Sequence, residues 1–189
     1  MAIGRTKEAF EESKRAIECD PLGLVLNMHK GWNYLYRREY QLAIEQLTST
    51  LELDPDFILA RMFLAEAYEQ IGRFEEALAE FGKTVNLSER HPIYLAGLGH
   101  AYAVSGQRDR AVKIIGELQQ LSSQMYVPSR GIAEIYIGLG DKEQAFAWLD
   151  KALEQRNGWL IHVKENPRYD SLRSDPRYES LLQRINLPL

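Results

Sequence analysis

The chain has 189 residues, with 27 acidic against 23 basic side chains and a net charge of −4. That length can bury a continuous core as one domain or one short solenoid, and the acidic balance offers no field for phosphates, so nucleic acid is not an expected partner. Cys19 is alone, no apolar run approaches the roughly 18 residues that span a bilayer, and the charged opening Met1–Arg15 is no secretory signal, so no membrane partner is expected and elimination places the chain in the cytoplasm.

The first element is incomplete. Ile3-Gly4-Arg5-Thr6-Lys7-Glu8-Ala9 matches Ile71-Gly72-Arg73-Phe74-Glu75-Glu76-Ala77 further along, so residues 4–23 read as the second half of a helical unit that ends at Asp20-Pro21. Full units follow over residues 24–57, 58–91, 92–125 and 126–159, each 34 residues long. The unit 58–91 shows the pattern most plainly. Leu64, Ala65, Tyr68 and Ile71 form one helical stripe, Gly72 supplies a turn residue tolerant of positive φ, and Phe74, Ala77, Leu78, Phe81 and Val85 form a second stripe. Numbered from Ile58, small residues stand at positions 8 and 20, aromatics at 11 and 24, and glycine at 15. Two helices joined by a short turn approach closely only where the facing side chains are short.

The other units keep this register. Unit 24–57 has Gly31, Tyr34, Ala43 and Leu47, with Arg38 in place of the turn glycine. Unit 92–125 has Gly99, Tyr102, Gly106, Ala111 and Ile115; Gly97 has no place in the pattern. Unit 126–159 has Ala133, Tyr136, Gly140, Ala145 and Leu149, and Pro128 sets the start of its first helix at or just after itself. Beyond it the register is lost. Asn166-Pro167-Arg168-Tyr169 echoes Asp175-Pro176-Arg177-Tyr178, two N-cap residues each followed by a proline suited to the first helical position. Two short helices, 167–173 and 176–185, are expected to lay Tyr169, Leu172, Tyr178, Leu181, Leu182 and Ile185 over the last unit, making 160–189 a C-terminal cap.

Four registers in agreement at these positions resemble the tetratricopeptide repeat. The resemblance implies one all-α domain, a right-handed α-α superhelix (a solenoid) of antiparallel helix pairs closed by a capping segment. Asn27, Arg61 and Ser129 depart from it at position 4, where the family favours a large apolar residue. The closing run from Ala145 looks like the tetratricopeptide tails of bacterial multidomain signalling and transcription regulators, which follow a winged-helix, kinase or cyclase domain. It implies the tail of such a regulator or a stand-alone relative, working as a protein-binding scaffold. In the family, positions 2, 5, 9, 12 and 13 of the first helices line a concave surface. Carried over, they give Met28, Trp32, Tyr36, Met62, Glu66, Glu69, His100, Arg130 and Glu134 as a face for a peptide or helix of a protein partner. Trp32 has a second reading, as packing against the neighbouring helix. Family members that grip acidic chaperone tails place Lys, Asn and Arg at positions 5 and 9; only Arg130 fits, so that clamp is absent.

No catalytic, metal-binding or cofactor-binding residue is expected, and the chain reads as no enzyme. His29, His91, His100 and His162 have neither an i, i+4 His partner nor a nearby Cys pair, and no Walker, HExxH or GxSxG string occurs. Gly97-Leu98-Gly99-His100 lacks the third glycine of a dinucleotide loop and lies within a helix. The unfinished N-terminal edge leaves two alternatives: a chain cut ahead of a missing helix, or an edge that packs on a second copy as a homodimer or on another protein.

Overall fold

The computed structural model describes residues 8, 11, 12, 15 and 18–187; Gly4 and Ala9 of the half unit lie outside the described residues. Among these, the regular structure is helical and falls into two compact units divided after Ser88. The first unit holds α1 (Leu24–Tyr36), α2 (Tyr40–Leu53), α3 (Ile58–Gln70) and α4 (Phe74–Leu87). Each consecutive pair packs together, and α1 also meets α3, around a core that includes Leu35, Leu47, Phe63 and Leu64. The second unit holds α5 (Pro92–Val104), α6 (Arg108–Leu121), α7 (Ser129–Gly138) and α8 (Lys142–Glu154). Two 3-10 helices (Gly158–His162, Pro167–Leu172) and α9 (Pro176–Arg184) close it. Helix α7 begins just after Pro128, as the proline requires.

All four pairs turn in the same way. The carbonyls of Tyr34, Tyr68, Tyr102 and Tyr136 accept from the backbone N–H of Glu39, Arg73, Gln107 and Asp141 at 2.9, 3.0, 2.8 and 3.0 Å. This closure needs a left-handed residue just before the donor. Gly72, Gly106 and Gly140 supply it with φ of 76°, 79° and 75°; Arg38 supplies it with φ of 65°. The first pair therefore keeps the geometry with a side chain that disfavours it by roughly 1–2 kcal/mol.

Small residues mark the close contacts. Ala43, Ala77, Ala111 and Ala145 are fully buried. A Cβ on Gly31 would lie 2.5 Å from Leu47 Cγ, and one on Gly99 would lie 2.6 Å from Ile135 Cδ1. Helices α5 and α7 meet along a further seam: a Cβ on Gly131 or Gly138 would come within 2.7 Å of the Cβ of Ala96 or 2.8 Å of that of Ala103.

The polar residues at position 4 form a link of their own. Asn27 Nδ2 donates to the Pro21 and Gly23 carbonyls at 2.8 and 3.1 Å, and its Oδ1 accepts from Gln46 at 2.9 Å. One repeat later Arg61 donates to the Pro55 carbonyl and pairs with Glu80. In both pairs one side chain ties the preceding Asp-Pro loop to the second helix, at position 23. In the third pair the same two positions are Leu95 and Ile114, both buried.

The C-terminal segment matches its expected bounds to within a residue, except that the stretch from Pro167 is a 3-10 helix rather than an α-helix. Asn166 and Asp175 cap their helices, each accepting at 3.0 Å from the N–H two residues on. The register does not end where the sequence pattern does. The second helices of the pairs begin at Tyr40, Phe74, Arg108 and Lys142, and α9 begins at Pro176, 34 residues further each time. The stretch at Pro167–Leu172 packs on α7, as the first helix of a fifth pair would. Repeat side chains are lost there while repeat placement persists.

Candidate functional site

The first helices of the pairs carry the residues assigned to the partner-binding face. In the first unit Met28, Trp32 and Tyr36 are buried on α1, with Glu66 and Glu69 buried and Met62 half-buried on α3. Residues 29, 32 and 36 share one stripe of α1. Trp32 stacks on Phe63 with ring centres 5.5 Å apart, meets Tyr36 edge-on at 5.3 Å, and takes the exposed His29 ring against it at 5.4 Å. Only 8% of Trp32 remains exposed. Of its two readings, packing between α1 and α3 is the one the geometry displays. Met62 is the member of this face in the first unit that solvent reaches most, and the exposed His29, outside the assigned set, lies against Trp32.

The second unit treats the equivalent residues differently. His100 is buried, its ring beside Gly138 of α7, whose added Cβ would lie 3.3 Å from the ring. Glu134 is 3% exposed and lies beneath the C-terminal segment, not in an open face. Its carboxylate pairs with Arg130 one turn earlier, accepts from the Tyr169 hydroxyl at 2.9 Å and lies 3.5 Å from Arg168 Nη1. A buried carboxylate needs such partners, because loss of water is costly without them. Burial and the adjacent carboxylate push the Tyr169 hydroxyl pKa well above its usual value, so it stays a donor. Sequence reasoning read Tyr169 only as part of the cover over the last unit and gave Arg168 no role. The signal available was the polar tip of a tyrosine placed among apolar neighbours. Nearby, burial lowers His162 to about 4.

The electrostatics of the cap extend along α8. Arg177 reaches Glu143 at 2.9 Å while its guanidinium lies 4.4 Å from the Phe146 ring centre, and Arg184 reaches Asp150 at 2.5 Å. Arg177 hydrogen bonds also hold the Asp175 carboxyl down to about 2. Among the described residues no three His, Cys, Asp or Glu side chains come together as a metal site, and no helix is long and apolar enough to cross a membrane.

Two stretches match models of the tetratricopeptide repeat, residues 29–85 and residues 131–157. Over these two stretches the chain carries the tetratricopeptide repeat. Solved structures share the fold. A thermophilic tetratricopeptide repeat protein of Thermus thermophilus is 24% identical with a TM-score of 0.68, over 96% of this chain and 93% of that one. MamA is 22% identical with a TM-score of 0.55, over 82% and 91%. A chain of the APC/C hetero-tetramer Cut9–Hcn1 is 16% identical with a TM-score of 0.64, over 97% of this chain and 36% of that one. No curated protein matches in sequence. Tetratricopeptide repeats in general mediate contacts between proteins. The match over 29–85 takes in α1 from residue 29 onward and the whole of α3, with Trp32, Met62 and the stack of Trp32 on Phe63.

Proposed function

We propose that the chain is a non-catalytic scaffold, the tetratricopeptide part of a larger cytoplasmic bacterial signalling or regulatory protein. It binds a peptide or helix of a protein partner along the first helices of its pairs. The observation that carries this reading is the repeat match over residues 29–85, which includes the greater part of α1 and the whole of α3. Support comes from Met62, half-buried against the core cluster that includes Trp32 and Tyr36, because methionine and aromatic side chains are adaptable anchors for an apolar segment. Trp32→Ala is a poor test, since emptying a buried indole site costs about 3–5 kcal/mol of stability. Met62→Glu together with His29→Ala changes the accessible part alone. A defined partner that co-purifies with the natural chain is expected to be lost from this variant at unchanged helical content. Retention of the partner at natural affinity would refute the assignment of the face.

A second reading, self-association at the N-terminal edge, is favoured by Leu22 and Val25, which are 71% and 55% exposed at the start of α1. Sedimentation then finds a dimer that Leu22→Glu with Val25→Glu converts to a monomer. A monomer at every concentration for the natural chain excludes it.

A further inference from the structure

The loops that join one helix pair to the next end at position 34, which is Phe57, His91, Met125 and Trp159 in turn. In the second unit two of these loops leave large side chains in water. Met125, Tyr126 and Trp159 are 45%, 61% and 47% exposed. One amide links two of them: Asn157 Nδ2 donates to the Tyr126 hydroxyl at 3.4 Å, and Asn157 Oδ1 accepts from the Trp159 N–H at 3.1 Å. The surroundings lack acid. No Asp or Glu occurs in residues 118–133 or 155–164, although the chain holds 27 of them in 189 residues. Arg156, exposed and next to Asn157, pairs with no carboxylate among the described residues. Its backbone is left-handed, with φ of 52°, where glycine is the favoured residue.

The complementary chemistry lies on the chain itself. Residues 1–88 carry 15 acidic and 10 basic side chains, whereas residues 89–189 carry 12 and 13. At the end of α2 and in the loop to α3, Leu53 is 48% exposed and Pro55 and Asp56 stand in solvent. Asp54 is engaged within the loop, accepting from the Asp56 N–H at 3.0 Å, while the Asp56 carboxylate has no cation partner among the described residues. The geometry points to a contact between two copies of the chain, in which Leu53–Asp56 of one copy docks on Met125, Tyr126 and Trp159 of the other, with Asp56 against Arg156. Leucine and proline supply apolar surface for the two aromatic rings, and Trp, Tyr and Arg are the side chains that most often dominate interface energies. Charge selects the pairing. Two acidic loops would set Asp56 against Asp56, and two aromatic patches would set Arg156 against Arg156, so only unlike surfaces meet favourably. The contact is therefore heterologous. It is separate from the face that carries Met62 and from the N-terminal edge at Leu22 and Val25.

The test is sedimentation of the full chain over a range of concentrations and salt. The natural chain is expected to associate, and more weakly at high salt. Trp159→Ser should weaken association about tenfold or more. Arg156→Gly separates folding from contact, because it relieves the left-handed backbone while removing the cation. Its Tm should rise while its dissociation constant increases about 1.5- to 5-fold. Arg156→Glu and Asp56→Arg should each weaken association, and the two together in one chain should restore it, since every copy then offers the reversed pair. A monomer at every concentration, or a combined variant no stronger than its parents, overturns the proposal. Association that survives Trp159→Ser but is lost in Leu22→Glu with Val25→Glu overturns it in favour of the N-terminal edge. A monomer that binds vesicles of anionic lipid through Trp159 makes the occupant a lipid surface and overturns it as well. None of these outcomes touches the first-helix face, whose test uses Met62 and His29.

Discussion

The turn at Arg38 allows a clean exchange experiment. Arg38 and Gly72 hold the same turn position one repeat apart, with φ of 65° and 76°. A Cβ on Gly72 would have nothing within 4 Å, so a side chain there meets no steric obstacle and only the backbone conformation is tested. A left-handed non-glycine residue costs roughly 1–2 kcal/mol, and glycine gives back roughly 0.5–1 kcal/mol through its greater freedom in the unfolded chain. Arg38→Gly should therefore stabilise by about 0.5–1 kcal/mol, and Gly72→Arg should destabilise by a similar amount. The exposed 3.4 Å contact from Arg38 to the Tyr40 hydroxyl is too long to alter that sum. Thermal unfolding followed by circular dichroism is the assay, with Tm expected to move by about 2–4 °C per kcal/mol for a chain of this size. Opposite signs at the two positions are the signature. A loss of stability on Arg38→Gly would show that the arginine side chain, not the turn geometry, stabilises this corner.

Replacing Arg61 by Leu alone should cost about 1–3 kcal/mol, because Glu80 keeps only Lys83 at 2.7 Å and the Pro55 carbonyl loses its donor; the double change Arg61→Leu with Glu80→Ile, copying Leu95 and Ile114, should return to within about 1 kcal/mol of the natural chain in urea unfolding. Glu134→Ala leaves Arg130 and Arg168 without their buried carboxylate and should cost about 3–5 kcal/mol, whereas Tyr169→Phe removes one hydrogen bond to a charged group and should cost about 1.5–3 kcal/mol. Equal costs would show that the tyrosine ring alone docks the cap. His162 titrates near 4 in the folded chain because burial disfavours its charged form, against an unfolded value of 6.5. Its folded pKa is the lower one, so the unfolded chain binds the proton first, and stability falls as pH drops from about 6.5 to about 4 before levelling. His162→Phe should flatten that part of the pH dependence relative to the natural chain, and an unchanged slope would place the acid sensitivity elsewhere.

Much of the architecture was legible because it rests on covalent spacing. The small residues at positions 8 and 20 and the turn glycines are demanded by two helices meeting at one distance, and the same demand recurs in every pair. Arg38 could be read as a departure, and its φ shows that the turn geometry outlasts the glycine. Asn27 and Arg61 show in the sequence only as departures at position 4, because their partners, Gln46 and Glu80, lie 19 residues away on another helix. The proposed binding face was the least legible part. Position on a first helix sets direction but not depth, and depth was decided by neighbours: Phe63 over Trp32, and Tyr169 over Glu134.

The two arginines of α9 give the C-terminal segment a ruler. Arg177 reaches Glu143 and Arg184 reaches Asp150, each across 34 residues, with both acids two turns apart on one helix and both bases two turns apart on the other. A slip of α9 by one residue along α8 would break both bonds together, and a slip of one full turn in either direction would leave at least one base facing no acid. Changing the length of the stretch between Glu154 and Pro176 should therefore be tolerated only where the added residues loop out, leaving both pairs aligned. Together with the buried contacts of Tyr169 and Arg168, the two arginines thus fix the span of this segment as well as its packing.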